Sequence, residues 1–297
     1  MARALAAAAA AATGVQVGSA MVATRFVVDQ TGPTSLALLR YVIGFCCLLP
    51  VVWLSAKPMR FARRDVLPIA LLGIVQFGVV IALLNYGLRF IPSARAALIF
   101  ATFPLLTMLL AAALGHERLT LPKILGVLST IAGVGLALGE KALAGGSALE
   151  WLGELAVFAS ALSGAVCSVL YRPYLRRYPA LPVSAFAMLA SVGFLAVLAA
   201  GEGFFASLPR FSPAGWLAIV FIGFSSGVGY YLWLWALGHA PATQVTVFLA
   251  LSPITAAGLG ALFLEEQISS LSALGLACVA LGLWLAHWRA PASGIPS

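Results

Sequence analysis

The stretch FATFPLLTMLL, residues 100–110, places Pro104 in the middle of an otherwise apolar run. In a helix surrounded by water, such a proline removes one backbone hydrogen bond and clashes with the carbonyl one turn back, which costs ~3 kcal/mol or more. The same element recurs as LALSPIT, residues 249–255, with Pro253 in the equivalent place. Two prolines at matching positions predict paired bends, and we interpret Pro104 and Pro253 as hinges.

The composition around these prolines indicates a membrane protein. Of the 297 residues, 62% are hydrophobic and only 9% are charged, whereas a soluble domain carries ~25% charged residues. Uncharged runs of about 20 residues, the length that crosses a bilayer, recur along the chain. They predict ten spans, at residues 4–24, 34–55, 66–88, 96–115, 124–139, 155–171, 178–201, two within 211–264 divided at 238–241, and 267–288.

These spans predict an all-α integral membrane protein, because each span in lipid must satisfy its own backbone hydrogen bonds. The first run could also be a signal peptide, but it continues to Thr24 without a polar cleavage region, which favours a helix. The four cysteines lie within spans without metal-ligand spacing, and no nucleotide-binding loop is present. We expect no cofactor and no metal; an intramembrane enzyme is the alternative of a different class.

The charged residues predict the orientation of the chain. Lys and Arg are more numerous on the side of the loops at residues 57–64 and 172–177, which places those loops and both termini in the cytoplasm. The net charge of +8 is distributed along the chain. We therefore expect the lipid bilayer and a small molecule as partners, and no nucleic acid.

An internal repeat covers the whole chain. A shift of 149 residues superimposes Pro104 on Pro253, Glu117 on Glu266, Gly126 on Gly275 and Gly133 on Gly282. A shift of 147 residues aligns the first helix with the sixth and superimposes Thr13 on Ser160. The halves are residues 1–145 and 146–297. Because five helices is an odd number, the second half enters the membrane from the opposite side, which makes this an inverted-topology repeat.

Two inverted halves are typical of transporters that work by alternating access, although some passive channels share the pattern. Ten spans, the proline of FATFPLL and LALSPIT, and the glutamate of LGHERLT and LEEQISS resemble the drug/metabolite transporter superfamily, specifically its EamA-type exporters. The resemblance implies export of small metabolites, often amino acids, across the bacterial inner membrane. Aromatic amino acids are favoured by the aromatic residues of the chain; other metabolites or drugs are the alternative.

Polar and aromatic side chains inside the spans are the candidates for substrate binding, because they are costly in lipid. We predict a site formed by Gln16, Ser19, Gln76, Asn85, Tyr86, Thr102, Ser163, Tyr230, Tyr231, Trp235 and Gln244. Arg40 interrupts its span and could meet a substrate carboxylate. The structural alternative is that these residues form hydrogen bonds between helices and a packed aromatic core.

The positions of the acidic residues restrict the cargo. No Asp or Glu lies in the central part of a predicted span, whereas a proton-coupled exporter of organic cations needs a carboxylate there. We therefore expect neutral or zwitterionic cargo and facilitated export. Glu117 and Glu266 are expected to interact with the N-termini of the helices that follow them. The paired glycines serve internal packing or dimerisation, so the oligomeric state is open.

Overall fold

The chain is helical throughout the part that the structure describes. The computed structural model describes residues 2–54, 60–115, 120–144, 147–207, 209–266 and 269–287, and these residues contain no strand. The helices are α1 Ala2–Val27, α2 Pro33–Leu54, α3 Arg63–Gly73, α4 Val80–Leu88, α5 Ser93–Phe100, α6 Phe103–Ala113, α7 Leu121–Ala144, α8 Ala148–Leu175, α9 Ala180–Gly201, α10 Pro213–His239, α11 Ala242–Thr246, α12 Leu251–Leu264 and α13 Ser270–His287. A π-helical turn, Ile74–Val79, joins α3 to α4, and a 3-10 segment, Val247–Ala250, joins α11 to α12.

Within the residues that the structure describes, eight helical stretches are long and apolar enough to cross a membrane. The stretch Arg63–Leu88 runs through α3 and α4, and the stretch Ser93–Ala113 runs through α5 and α6. Two shorter apolar stretches, Ile124–Leu136 and Ser270–Gly282, belong to α7 and α13. Leucines on the outside of the bundle are strongly exposed, for example Leu217 at 74%. A surface of this kind is stable only in lipid, so this is a multi-pass membrane protein.

The two prolines lie just after breaks in their helices. α5 ends at Phe100, a turn follows at Ala101 and Thr102, and Pro104 is the second residue of α6. In the second half, the 3-10 segment precedes α12, and Pro253 is the third residue of α12. A proline in the first turn of a helix loses no hydrogen bond, because the N–H groups there have no partner within the helix. Each proline therefore begins a new segment.

Two hydrogen bonds lie at matching places in the two halves. The hydroxyl of Thr13 on α1 shares its one proton between the carbonyl of Ala9 in its own helix at 2.9 Å and the carbonyl of Gly229 on α10 at 3.3 Å. The hydroxyl of Ser160 on α8 donates to the carbonyl of Val80 on α4 at 2.7 Å. The donors are related by the shift of 147 residues and the acceptors by the shift of 149. Each first helix of a half therefore packs against the other half through the same contact.

The repeated glycines bring α7 and α13 into close contact. A Cβ atom built at Gly133 would lie 2.5 Å from the carbonyl oxygen of Gly275, and the reverse distance is also 2.5 Å. One built at Gly282 would lie 2.5 Å from the carbonyl oxygen of Gly126. The hydroxyl of Ser129 donates to the carbonyl of Cys278 at 2.8 Å between these two contacts. The glycines therefore pack the two halves together within one chain.

Glu266 has a different partner from the one that the sequence suggests. Its carboxylate accepts hydrogen bonds from the backbone N–H of Ser93 at 2.9 Å and from the Ser93 hydroxyl at 2.6 Å. Ser93 is the first residue of α5, so Glu266 caps the N-terminus of a helix in the other half, not the helix that follows it. An N-terminal N–H lacks a partner within its own helix, which explains the contact. The matching Glu117 lies outside the described residues.

Candidate substrate-binding site

Three aromatic rings meet where α2, α10 and the π-helical turn come together. The ring centroid of Tyr41 lies 5.4 Å from that of Phe77 and 5.8 Å from that of Tyr230. Phe77 and Tyr230 lie 4.6 Å apart and nearly perpendicular, at 84°. Such edge contacts contribute ~0.5–1.5 kcal/mol each beyond the area they bury. We call Tyr41, Phe77 and Tyr230 the aromatic cluster; its rings pack against one another, and Tyr41 and Phe77 have none of their surface exposed.

Arg40 adds a positive charge beside this cluster. Only 4% of its surface is exposed, about two turns from the start of α2. Its Nε donates to the hydroxyl of Ser226 at 2.6 Å, and its guanidinium carbon lies 5.8 Å from the centroid of the Tyr41 ring. Among the described residues, no carboxylate forms an ion pair with Arg40. The bundle therefore holds a desolvated cation whose charge the described protein groups do not balance.

Two polar atoms on residues adjacent in the chain to this group also lack partners, since Tyr41 follows Arg40 and Gln76 precedes Phe77. The hydroxyl of Tyr41 and the Oε1 atom of Gln76 are buried and make no hydrogen bond within the described parts of the chain. A buried polar atom without a partner costs ~1–3 kcal/mol. Gln76 belongs to the π-helical turn, and such turns occur frequently at functional sites. A polar ligand could balance this charge and supply hydrogen-bond partners to both polar atoms.

Gln16, predicted from the sequence, approaches the same region from α1. Its side-chain amide donates to the hydroxyl of Ser225 at 3.4 Å, one position before the residue that binds Arg40. It also packs over Gly229, where a Cβ atom would lie 2.5 Å from the Gln16 Oε1 atom. The structure therefore places Gln16 against the part of α10 that carries Ser225 and Gly229, next in the chain to Ser226 and Tyr230.

Three other predicted residues make contacts that fix the backbone. The side-chain amide of Asn85 donates to the carbonyl of Pro33 at 2.9 Å, which joins α4 to the start of α2. The hydroxyl of Thr102 donates to the carbonyl of Ile99 at 2.8 Å, within the break between α5 and α6. The ring of Tyr86 packs against Phe90, with centroids 5.1 Å apart. These contacts do not include a residue of the aromatic cluster.

Two further predicted residues are half-buried on the first helices of the halves. Ser19 on α1 donates to the carbonyl of Val15 in its own helix at 2.9 Å. It also lines a groove of about 330 Å³ whose other walls are mostly apolar side chains of α1, α10 and α12. Ser163 on α8 is half-buried at the matching helix. Ser19 therefore borders this apolar groove, whereas Gln16, three residues earlier, bonds to Ser225.

One predicted residue, Gln244 on α11, lines a second cavity beyond the end of α10. Gln244 lines a pocket of about 320 Å³ together with Arg172, Arg176, His239 and the backbone at residues 238, 240 and 241. Trp235 stacks on His239, with ring centroids 4.2 Å apart, and the Trp235 carbonyl accepts a hydrogen bond from the His239 Nδ1 at 2.8 Å. Tyr231 is half-buried one turn earlier. This basic pocket lies at one end of the bundle and is distinct from the aromatic cluster.

The structure adds Tyr41, Phe77 and Ser226 to the residues that sequence reasoning proposed. The sequence contained one usable signal for this place, since Arg40 is the charge that interrupts an otherwise uncharged span. Tyr41 follows it directly in the chain. Phe77 and Ser226 carry no such signal, because phenylalanine occurs 17 times in the chain and serine also lies in several other helices.

A bundle of apolar helices, with a buried cation and unsatisfied polar atoms in its interior, defines a multi-pass helical membrane protein built to handle a polar solute. Comparison with known families agrees with this class. Residues 4–139 match the EamA-like transporter family, and residues 151–288 match the same family a second time. The chain therefore belongs to the EamA-like transporter family of the drug/metabolite transporter superfamily, and it is a transporter.

Individual relatives extend over nearly the whole chain. The chain is 30% identical over 282 residues to a "Probable terminal-alkyne amino-acid exporter" of Streptantibioticus cattleyicolor, with 93% of this chain and 91% of the relative covered. It is 22% identical to "Uncharacterized transporter YoaV" of Bacillus subtilis, with 90% and 91% covered. A solved crystal structure, 23% identical, superimposes with a TM-score of 0.71 over 93% of this chain and 94% of its own, and it shows the same fold.

Proposed function

We propose that this transporter exports small neutral or zwitterionic metabolites, most of all amino acids, by alternating access. The two moving units are the halves at residues 1–145 and 146–297, each with five spans and with opposite orientation in the membrane. In this mechanism the halves exchange conformations about a site near the midplane, so that the site opens to each side in turn. The cytoplasm is the side of both termini, and the membrane is the bacterial inner membrane.

The observation that carries this proposal is the matching of contacts between the halves. Thr13 and Ser160 make the same hydrogen bond in opposite halves, and the breaks before Pro104 and Pro253 lie at equivalent positions. The glycine contacts of α7 and α13 are reciprocal in the same way. A structure whose halves make equivalent contacts has two arrangements of similar energy available, which is what alternating access requires.

The cargo is inferred from the site and from one relative. The protein from Streptantibioticus cattleyicolor is named for amino-acid export. The aromatic cluster, which includes Tyr230, and the Arg40 guanidinium could bind an amino acid with an apolar or aromatic side chain. The acidic residues lie towards the ends of the predicted spans, which disfavours cationic cargo and obligatory proton coupling. We therefore propose facilitated export, with aromatic amino acids favoured.

Counterflow in proteoliposomes tests the proposal. Vesicles with purified protein are loaded with unlabelled L-phenylalanine and diluted into labelled L-phenylalanine at equal pH on both sides. A carrier accumulates label transiently, whereas a channel only equilibrates it and an enzyme alters it. Absence of counterflow with L-phenylalanine, L-threonine and L-propargylglycine contradicts amino-acid export. Counterflow that requires an imposed proton gradient contradicts facilitated transport.

The orientation is tested separately with fusions to the C-terminus. A cytoplasmic C-terminus makes a fused green fluorescent protein fluorescent and leaves a fused alkaline phosphatase inactive, because the phosphatase folds only outside the cytoplasm. The reverse pair of results contradicts the orientation and leaves the transport proposal standing.

A further inference from the structure

Arg40 is buried in a position that does not let its charge reach water. It lies inside α2 with 4% of its surface exposed, and its side chain turns towards Ser226 on α10. A long cationic side chain near the end of a span usually extends to the membrane surface, but this one is held inside the bundle. The described carboxylates that form ion pairs do so with Arg25, Arg64, Arg95 and Arg177. The charge of Arg40 therefore lacks a described counter-ion.

The contact with Ser226 fixes one edge of the guanidinium and leaves the rest available. The Ser226 hydroxyl donates its proton to the carbonyl of Ile222 at 2.5 Å, so it acts only as an acceptor towards the Nε of Arg40. Among the described residues, no hydrogen bond uses the two terminal nitrogens of Arg40. Those nitrogens form the planar fork that binds a carboxylate through two parallel hydrogen bonds. Arg40 is therefore held in a defined orientation with its carboxylate-binding groups unused.

The neighbouring polar atoms complement an α-amino acid. The Tyr41 hydroxyl can donate to a carboxylate, and the Oε1 atom of Gln76 can accept from an ammonium group; both are buried without a described partner. Phe77, next to Gln76 in the chain, and Tyr230 supply the apolar surface of the aromatic cluster. A carboxylate, an ammonium group and an apolar side chain are the three parts of such a ligand.

The internal repeat shows that the fold does not need an arginine here. The shift of 149 residues superimposes Arg40 on Leu189, which lies on the outside of the bundle with 45% of its surface exposed. α9 therefore forms its half of the structure with an apolar residue at the matching position. Arg40 is therefore specific to the first half, where the matching position is also buried instead of exposed.

We propose that Arg40, oriented by Ser226, binds the carboxylate of the transported amino acid, with the Tyr41 hydroxyl and the Gln76 Oε1 atom completing the polar site. This inference rests on the proposed function of amino-acid export. It assigns the substrate class as molecules that carry a free carboxylate. Amino alcohols and amines with the same side chain are excluded, because they would leave the guanidinium unpaired.

The first test uses the wild-type protein and therefore does not depend on the folding of a variant. Unlabelled L-phenylalanine and L-phenylalaninol compete with labelled L-phenylalanine for counterflow; the two differ only in the carboxylate. We expect L-phenylalaninol to compete at least about tenfold more weakly, because it loses a charged hydrogen-bonded pair. Equal competition overturns the proposal for Arg40 while amino-acid export stands. If no amino acid shows counterflow, export itself fails.

The second test uses Arg40→Gln and Arg40→Lys, with Arg25→Gln as the matched control. Arg25 lies at the end of α1, 31% exposed, in an ion pair with Asp29 at 3.2 Å. In Arg40→Gln we expect the competition constants of L-phenylalanine and L-phenylalaninol to lie within about threefold of each other. Arg40→Lys should keep part of the preference for L-phenylalanine. Arg25→Gln should keep the wild-type preference. A purely structural Arg40 would lower transport and leave the preference unchanged, which overturns the inference.

Discussion

The close contact between α7 and α13 predicts that Gly133→Ala destabilises the protein and that Gly135→Ala does not. Both glycines lie on α7, but an added Cβ meets nothing within 4 Å at Gly135, whereas at Gly133 it would lie 2.5 Å from the carbonyl oxygen of Gly275. Ordinary carbon–oxygen contacts are about 3.3 Å, so the helices must separate by about 0.8 Å. A gap of that size removes a quarter to a half of the dispersion energy of the atoms that line it.

The free energy of this change follows from two opposing effects. Overpacking a tight contact costs ~1–3 kcal/mol, while replacing glycine by alanine within a helix returns ~0.5–1 kcal/mol. Gly135→Ala contains only the second effect. The difference between the two variants should therefore be ~1–3 kcal/mol, or about 5- to 150-fold in the unfolding equilibrium, with Gly133→Ala the less stable.

The measurement is reversible unfolding of the purified protein in mixed micelles, followed by tryptophan fluorescence, for both variants and the wild type. Gly275→Ala and the double variant Gly133→Ala/Gly275→Ala complete a double-mutant cycle. We expect the second alanine to cost less than the first, because the helices are already separated. Equal stabilities of Gly133→Ala and Gly135→Ala would refute the close contact. A change of oligomeric state in Gly133→Ala would show that the glycines join separate chains.

Three further predictions concern the hinges, a surface carboxylate and the matching hydrogen bonds. Pro104→Ala and Pro253→Ala each restore a backbone N–H that lets the helix continue through the break. Counterflow of L-phenylalanine should therefore slow several-fold, while the competition constant stays unchanged. Unaltered counterflow rates in both variants contradict a hinge. Burial alone would raise the pKa of Glu202, but its hydrogen bonds at the start of α2 outweigh burial and lower that pKa in the folded protein. Glu202 therefore stabilises the fold at pH values above its pKa in the unfolded chain. This stabilisation is lost as the pH falls through the pKa of Glu202 in the folded protein. Acidification from pH 7 to about pH 4 should therefore lower the unfolding midpoint of the wild type more than that of Glu202→Gln, and equal shifts contradict this. Ser160→Ala should cost ~0.6–1.7 kcal/mol of unfolding free energy and Thr13→Ala less, because the Ser160 bond of 2.7 Å is shorter than the Thr13 bond of 3.3 Å; the opposite order in the unfolding assay refutes this.

The stabilising role of Glu202 has a clear geometric origin. Glu202 follows the last residue of α9, and its carboxylate accepts hydrogen bonds from the backbone N–H groups of Thr34 and Ser35 at 3.0 and 2.8 Å. The Ser35 hydroxyl adds a third bond at 2.6 Å. Together with Glu266 on Ser93, this gives two carboxylates of the second half that cap helices of the first. Under the proposed topology both caps lie on the outer side, where they hold the halves together.

The helical fold and the repeat could be predicted because they depend on features that every part of the chain carries. The requirement for helices in lipid follows from backbone chemistry, and the prolines and glycines mark the repeat at fixed spacings. The partner of Gly133 could not be predicted, because its i, i+7 spacing to Gly126 suits contact within a chain and between chains equally. The pairing of Gly133 with Gly275 requires the relative position of the two halves, which the structure supplies.

The sequence predicted only some residues of the candidate site, because it does not show which partner each polar side chain finds. Gln16, Gln76 and Tyr230 were identified because polar and aromatic groups inside a span are costly. The same argument selected Thr102 and Asn85, whose side chains instead bond to nearby backbone carbonyls. A cost in lipid shows that a polar group needs a partner, but the sequence does not say whether that partner is a carbonyl of the protein or a ligand.

A hydrogen bond from a side-chain hydroxyl lies at each of the helix breaks before Pro104 and Pro253. At the second break the Ser252 hydroxyl donates to the carbonyl of Leu249, four residues before Pro253, at 2.6 Å. At the first break the Thr102 hydroxyl donates to Ile99 in the same manner. Each break therefore carries a hydroxyl bond beside its backbone bonds, which at the first break include Ala101 N–H to the Ala97 carbonyl at 3.0 Å and Leu106 N–H to the Thr102 carbonyl at 2.9 Å. We expect rotation at the first break to be limited by two contacts of α5, the cap by Glu266 and the packing on α8 that α5 shares with α6.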